Sequence, residues 1–303
     1  MTRIVLVGRN GQVGWELERS LAGLGEIVAL GRAQLDLADA PRVGSVVQAY
    51  APDLVVNAAA FTDVEGAETN EAAACAINAH AVRALADAAH ACHATLIHYS
   101  TDYIFDGAKT TPYLEDDSPA PLSVYGRSKL AGEQAVRASG CAHLVIRTSW
   151  VYAARGRNFL RTILRLAAQR PELRIVDDQR GAPTTARLIA QTTALMIHAL
   201  TVQPAARQRV EAGTTVHLTA GGATTWYGFA REMREQALQL GIPFPTRLVP
   251  IRTDEYPTKA QRPLNSRLSL DRLARDWGVA VPSWQSALRL CMEEFAAAAD
   301  ETR

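Results

Sequence analysis

No apolar run in these 303 residues approaches the ~18–20 that a membrane-crossing helix needs, so an integral membrane protein is not expected. The first apolar stretch, in M-T-R-I-V-L-V-G, has the length of a strand rather than of a signal peptide, and a cytoplasmic protein is expected. Cysteine is scarce. Cys75, Cys92, Cys141 and Cys291 stand far apart with no C-x-x-C pair, which argues against a disulfide framework or a thiolate metal site and for reduced thiols. The seven histidines form no H-x-x-x-H pattern, so no zinc site is expected. An excess of charge is missing too: 32 Lys and Arg meet 31 Asp and Glu. No overall field draws the chain to nucleic acid or to an anionic membrane, and any anion must be held locally. There is no internal repeat and no low-complexity linker.

What is present is a rhythm. Through about residue 150, short apolar runs at Arg3–Val7, Glu26–Leu30, Leu54–Asn57, Thr95–Ser100 and His143–Thr148 alternate with amphipathic stretches near Val13–Ala22, Val43–Tyr50, Glu71–Ala91 and Tyr125–Ala138. Nearly continuous apolar strands are buried on both faces, as in a parallel sheet, and repeated β-α-β units predict a doubly wound α/β fold. Beyond residue 150 the rhythm breaks. Loops such as Q-R-G-A-P-T-T and R-P-L-N-S-R-L separate helical patterns at Phe159–Ala168, Arg187–Ala199, Trp226–Leu240 and Trp284–Ala298. Residues 1–150, with 185–220 contributing, are read as the dinucleotide-binding domain, and 151–303 mainly as a smaller substrate-binding lobe.

The first strand runs into Gly8-Arg9-Asn10-Gly11-Gln12-Val13-Gly14 before a helix. Glycines let the backbone approach a pyrophosphate, and a helix N-terminus presents free N–H groups to it. A lone glycine triplet is weak evidence. Its place between the first strand and the first helix is what makes it a dinucleotide signal. The second strand ends at Leu30-Gly31-Arg32, where an NAD site usually carries Asp or Glu for the ribose 2′-hydroxyl. Arg32 is either a solvated loop residue or a bidentate partner for a 2′-phosphate, and the latter predicts NADPH, with NADH second. Asp36 and Leu37 are expected to flank the adenine.

Tyr125-Gly126-Arg127-Ser128-Lys129 opens an amphipathic helix and puts Tyr125 and Lys129 one turn apart on one face. A phenol with pKa near 10 is a poor acid at neutral pH, and a nearby ammonium favours its phenolate. Lys129 can also hold the ribose hydroxyls of a nicotinamide. Tyr-x-x-x-Lys arises by chance in many helices. The stretch His98-Tyr99-Ser100-Thr101-Asp102-Tyr103-Ile104-Phe105, at the end of the fourth strand, sharpens it, because ligands of such sheets sit beyond the strands' carboxyl ends. There the Thr101 hydroxyl can polarise a carbonyl beside Tyr125, or merely cap the strand with Ser100.

Together these motifs resemble the extended short-chain dehydrogenase/reductase family, over essentially the whole chain. The resemblance is carried by G-x-x-G-Q-V-G-W-E-L, V-N-A-A-A-x-T at 56–62, H-Y-S-T-D-Y-x-F at 98–105, V-Y-G-x-S-K-L-A-G-E at 124–133, R-T-S-W-V-Y at 147–152, D-Q-x-G-A-P-T at 178–184 and R-P-x-N-S-R-L at 262–268. It implies a Rossmann-type sheet and NADPH-dependent reduction of the C4 keto group of a dTDP-sugar, dTDP-4-dehydro-6-deoxy-L-mannose. Alternatives are another dTDP-4-keto-6-deoxyhexose, or a non-catalytic regulatory subunit of the same fold, which loss of Tyr, Lys or Thr would favour; all three are present. The resemblance implies that Gly11, Gln12 and Val13 hold the pyrophosphate and that Ala60, Phe61 and Thr62 line the cofactor cleft. It makes Tyr125 the proton donor, Lys129 its partner and Thr101 the group that positions the carbonyl. Asp102, Tyr103 and Trp150 would contact the sugar nucleotide, and Asn78 would either anchor a relay to Lys129 or face solvent. Some family members form homodimers with Mg2+ held by glutamates at the contact. Glu16 suits this, but Arg187 stands where a carboxylate would be needed, so no metal ligand is assigned.

Other residues have plainer readings. Trp15 is expected in the core, Trp150 at the cleft, and Glu115, Asp116 and Asp117 in a solvated loop. Arg262, Ser266 and Arg267 are either a surface loop or the cations and hydroxyl that a substrate pyrophosphate requires.

Overall fold

β1 (Arg3–Val7), β2 (Glu26–Leu30), β3 (Leu54–Asn57), β4 (Thr95–Thr101) and β5 (His143–Thr148) lie parallel in the order β5-β4-β3-β1-β2. A sixth parallel strand, Thr214–His217, pairs outside β5 and comes from the irregular second half, where no strand was legible. This computed structural model describes residues 1–300, the last two by backbone alone. Residues 301–303, assigned on sequence to the second lobe, lie outside the described ones.

Alternation along each strand sends side chains to two cores. Ile4, Leu6, Val56, Ile97 and Ile146 face one side, where they meet Leu17 of α1 (Gln12–Ser20) and Ile189 and Met196 of the helix Ala186–Val202. Val5, Val55, Leu96 and Val145 face the other, against Val43 and Val47 of α2 (Ala40–Ala49) and Val82 and Leu85 further along. Each such side chain contributes about 1.5–3 kcal/mol on burial, so both faces of the sheet hold its strands in register. The sheet-side core thus includes residues from 186 to 217.

Between β3 and β4 lie α3 (Val64–Thr69), α4 (Glu71–Cys75), a π-helical turn Ala76–His80, and α5 (Ala81–Ala91). The helical pattern read over Glu71–Ala91 is therefore interrupted by one wide turn, a feature that often marks functional sites. α6 (Val124–Ala138) starts at Ser123, whose Oγ accepts the Gly126 N–H at 3.1 Å.

The remaining lobe gathers the helices Phe159–Ala167, Trp226–Gln239 and Trp284–Asp300 around the buried Phe229, Met233 and Leu288. A parallel strand pair, Glu172–Val176 with Arg247–Ile251, flanks them. The lobe faces the carboxyl edge of the sheet, which leaves a cleft of about 710 Å3 lined from both sides. No helix among the described residues is long and apolar enough to cross a membrane.

Candidate active site

β4 ends at Thr101, one residue beyond the expected strand, so the Thr101 hydroxyl stands at the sheet's carboxyl edge. It accepts the Tyr103 N–H at 3.2 Å, donates to Asp102 Oδ1 at 3.0 Å, and lies in the cleft with Tyr125, whose charged form it favours. Tyr125 occupies the first turn of α6. Burial pushes its pKa up to about 12, the Thr101 hydroxyl works against that, and the Asp102 charge adds to it. The phenol is therefore held protonated. Lys129, one turn on, is buried and donates to the Tyr99 carbonyl at 2.6 Å. Burial brings it down to about 8 while Glu133 pulls it up. Thr101, Tyr125 and Lys129 all line the cleft.

Asp102 is the buried carboxylate of this edge. Ser149 donates to its Oδ2 at 2.8 Å and Thr101 to its Oδ1 at 3.0 Å, and the neighbouring Ser266 also favours its charged form. Burial outweighs these bonds and raises its pKa to about 6. Tyr103 lines the same wall, edge-on to Tyr125 at 6.0 Å, and burial raises its phenol further.

At the other end of the cleft stand Gly8 and Gly11, in the loop between β1 and α1, and Gln12 and Val13, which open α1. Gly8 adopts φ +92°, and a Cβ on Gly14 would lie 2.1 Å from the Gly8 carbonyl oxygen. Gly14 thus lets α1 close onto β1, and it does not line the cleft as a cofactor contact. No side chain caps α1 among the described residues, so its first N–H groups stay open to the cleft, as a pyrophosphate requires. Arg32, Asp36 and Leu37 line the cleft beside this loop. Arg32 is highly exposed, with Nε 3.5 Å from Asp36, an ion pair weak enough to be exchanged for a phosphate. Ala60 and Thr62 line the cleft, whereas Phe61 turns aside to pack with Ala67, Ala74 and Val124. Asn78, in the π-helical turn, is fully buried: it accepts the Phe61 N–H at 2.8 Å and donates to the Phe61 carbonyl at 3.0 Å and Ser128 Oγ at 2.9 Å. It ties down the 58–62 loop, its side-chain hydrogen bonds going to Phe61 and Ser128.

The lobe side is aromatic. Trp150, in the left-handed region at φ +46°, lies flat on Trp226 with centroids 3.6 Å apart and planes 7° off parallel. Phe159 backs Trp226 at 4.6 Å, and Trp226 Nε1 donates to Gln179 at 3.1 Å. Gly181 passes under the stack, where a Cβ would meet the Trp150 ring at 2.5 Å. The D-Q-x-G-A-P-T stretch is thereby explained as the bed of Trp150.

Several residues fall elsewhere than the sequence suggested. Arg262 pairs with Glu65 at 2.8 Å and is not in the cleft lining, nor is the buried Ser266, which reaches the site through Asp102. Arg267 bonds to Asn265. Glu115 is buried, accepts the His217 N–H at 3.0 Å and pairs with Arg272, so only Asp116 and Asp117 match a solvated loop. Trp15 is half-buried, with the Arg19 and Arg155 guanidinium groups 3.3 and 4.1 Å from its ring. The surface that would hold Mg2+ does not fit it: Arg187 lies 3.5 Å from Glu16 and 2.8 Å from Glu294, filling the place with a built-in cation. No cluster of three metal-ligating side chains occurs among the described residues.

Sequence reading missed Asn10, Arg157 and Trp226, which also line the cleft. It missed as well the Arg147–Glu133 pair, buried and bidentate at 2.9 and 2.8 Å, which carries the Arg of R-T-S-W and the Glu of L-A-G-E. The two motifs contained the signal, but not the pairing.

Residues 1–297 are matched by the model of the family described as the RmlD substrate binding domain. The dTDP-4-dehydrorhamnose reductase of Burkholderia thailandensis is 47% identical over 299 residues, covering 97% of this chain and 99% of that protein. The enzyme of the same name from Escherichia coli K12 is 44% identical, covering 96% and 97%. A crystal structure of dTDP-4-dehydrorhamnose reductase from Bacillus anthracis in complex with NADP superposes with a TM-score of 0.88 at 31% identity, covering 97% of this chain and all of that one.

Proposed function

The chain belongs to the RmlD substrate binding domain family, that of the dTDP-4-dehydrorhamnose reductases, and from that premise we propose that it reduces the C4 keto group of dTDP-4-dehydro-6-deoxy-L-mannose to give dTDP-L-rhamnose. NADPH, when bound, supplies the hydride. The chain's own residues do the rest. The open N-terminus of α1 with Gly11, Gln12 and Val13 holds the pyrophosphate, and Arg32 swings from Asp36 to the 2′-phosphate. Lys129 holds the nicotinamide ribose. Thr101 fixes the keto oxygen beside Tyr125, and the Tyr125 phenol hands its proton to that oxygen as negative charge develops on it. Asp102 and Tyr103 line the sugar site, and Trp150 closes over the sugar nucleotide.

The observation that carries the reading is the convergence of Thr101, Tyr125 and Lys129 at one end of a cleft whose other end is an uncapped glycine-loop helix. Purified protein with NADPH and the keto sugar nucleotide should oxidise the cofactor and yield dTDP-L-rhamnose, with the C4 configuration assigned by NMR. A panel of other dTDP-4-keto-6-deoxyhexoses should turn over more slowly. Faster reduction of another member would reassign the substrate, and no oxidation with any would sink the proposal.

A further inference from the structure

β4 carries two more buried polar residues that the proton transfer above does not use, His98 and Ser100, and the first of them touches Lys129. His98, fully buried, lies between Asn57 of β3 and the Lys129 side chain. The state of its ring follows from a backbone group. The Ala59 N–H donates to Asn57 Oδ1 at 3.1 Å, which leaves the Asn57 amide nitrogen facing His98 Nδ1, also at 3.1 Å. An amide N–H must donate, so Nδ1 accepts, and the proton of the neutral ring sits on Nε2. Burial, with the charge of Lys129 and then of His143, keeps the ring neutral. Nε2 in turn faces Lys129 Nζ at 3.5 Å. Lys129 therefore meets an N–H at its back rather than a lone pair, and its acceptor there is the Tyr99 carbonyl.

We propose that His98 is a positioning residue for Lys129: locked by Asn57 as the Nε2–H tautomer, it denies the ammonium a second acceptor behind it, turns the remaining N–H bonds toward the cleft, and favours release of the lysine proton. The inference rests on the reading of Lys129 as the partner of Tyr125 and adds what sets its state. Around the pair stand Glu133 one turn along α6, His143 on β5, and Tyr125 and Asp102 at the cleft. Glu133 favours the ammonium, and burial opposes it. His98 acts on the same side as burial, with the direction of an N–H that points at nitrogen.

Lys109, Lys129 and Lys259 are the chain's lysines, so spectra of protein labelled at lysine Cε resolve the Lys129 titration without any turnover. Histidine 15N spectra of the wild type should show His98 as the Nε2–H tautomer. H98N keeps an acceptor for Asn57 but withdraws the donor from Lys129. Its Lys129 midpoint should rise by about one pH unit, and the alkaline limb of kcat/KM should move with it. H98Q, whose amide reaches the Nε2 position, should titrate near the wild type. Wild-type His98 found as the Nδ1–H tautomer or as imidazolium overturns the proposal whatever the variants do, as does a folded H98N in which Lys129 titrates unchanged. The tautomer and the lysine shift in a protein that reduces no keto sugar would uphold this inference and remove the proposed function instead.

Discussion

The two walls of the cleft are built from different materials. The sheet wall, from β4 and α6, is made of ionisable groups taken out of water: Asp102 raised to about 6, Tyr125 raised to about 12, Lys129 lowered to about 8, each chiefly by burial. The lobe wall is made of π surface, with Trp150 flat on Trp226 and Phe159 behind. On the sheet wall burial sets the protonation state, and each hydrogen bond or charge adjusts it with little solvent to screen it. On the lobe wall shape and area decide, and the turn at Trp150 and the short strand Arg180–Gly181 carry them. The contrast separates bond-making from recognition, so variants of the first wall should act on kcat and variants of the second on KM.

The largest effect tests the first half of that contrast. Tyr125→Phe removes the proton donor and leaves the ring, and kcat should fall about 100- to 10,000-fold with NADPH affinity largely intact. Lys129→Met should lower kcat and also weaken NADPH binding. Thr101→Val should slow turnover less than Tyr125→Phe, since the phenol remains. Single-turnover rates with pre-bound cofactor check all three, and wild-type turnover in Tyr125→Phe would assign the acid to another group.

The sheet wall should also carry a stability cost. Asp102 titrates at about 6 in the fold against its ordinary 3.8, so the folded state binds the extra proton between those values. A raised carboxyl favours the fold while protonated, and that contribution is lost as pH rises through the window. Asp102→Asn removes the titration. Its stability relative to the wild type should improve by about 1–3 kcal/mol from pH 4 to pH 7.5, a few degrees in Tm, while activity falls. Any hydrogen bond the amide forfeits offsets the whole curve and not its slope. Parallel melting curves for the two proteins across this range would mean that Asp102 is not desolvated.

How much of this was legible in sequence divides along the same line. The sheet wall was readable because strand ends, a Tyr-x-x-x-Lys turn and a glycine loop have fixed spacing, and Thr101, Tyr125, Lys129 and Gly11 line the cleft. Period-two and helical patterns report local geometry well. The sixth strand at 214–217 was not readable, because a four-residue edge strand after a loop has little periodicity of its own. Long-range partners were not readable for a related reason. Arg262 is as cationic as a phosphate ligand should be, yet Glu65, 197 positions away, takes it. Phe61 sits in the right motif, but its side chain follows the apolar cluster under α3 and α6 rather than the cleft. Glu115 looks like a loop acid until Arg272 and the His217 N–H are brought to it. Sequence specifies which residues can pair and leaves the choice to tertiary contact.

In the proposed function the rim between the walls takes the cofactor. Arg32 is highly exposed and meets Asp36 at 3.5 Å, so a 2′-phosphate can take its place at little cost. A charge-assisted contact is worth roughly 1.5–3 kcal/mol, and NADPH should bind about ten- to a hundredfold more tightly than NADH. Arg32→Asp should reverse the ranking and leave kcat with its preferred cofactor nearly unchanged. Equal dissociation constants for both cofactors in the wild type would show that the arginine is a solvated loop residue.

The smallest effect tests the lobe wall. Trp150 keeps a left-handed backbone and a flat stack on Trp226, a conformation that persists only where the surroundings hold it. An aromatic pair contributes about 0.5–1.5 kcal/mol beyond area burial, so Trp150→Ala should raise KM for the sugar nucleotide about three- to tenfold. NADPH affinity should not move, because the pyrophosphate loop and Arg32 lie at the other end of the cleft. Gly181 and Gln179 would remain, so Trp226 keeps its bond to Gln179 and the lobe its fold. The measurement is a pair: KM for the substrate and Kd for NADPH, with Tm as the control on folding. An equal loss in both affinities, or a collapse in Tm, would make Trp150 a core residue of the lobe and erase the division between the walls. A rise in KM alone would place recognition on the aromatic side and leave the chemistry to Thr101, Tyr125 and Lys129.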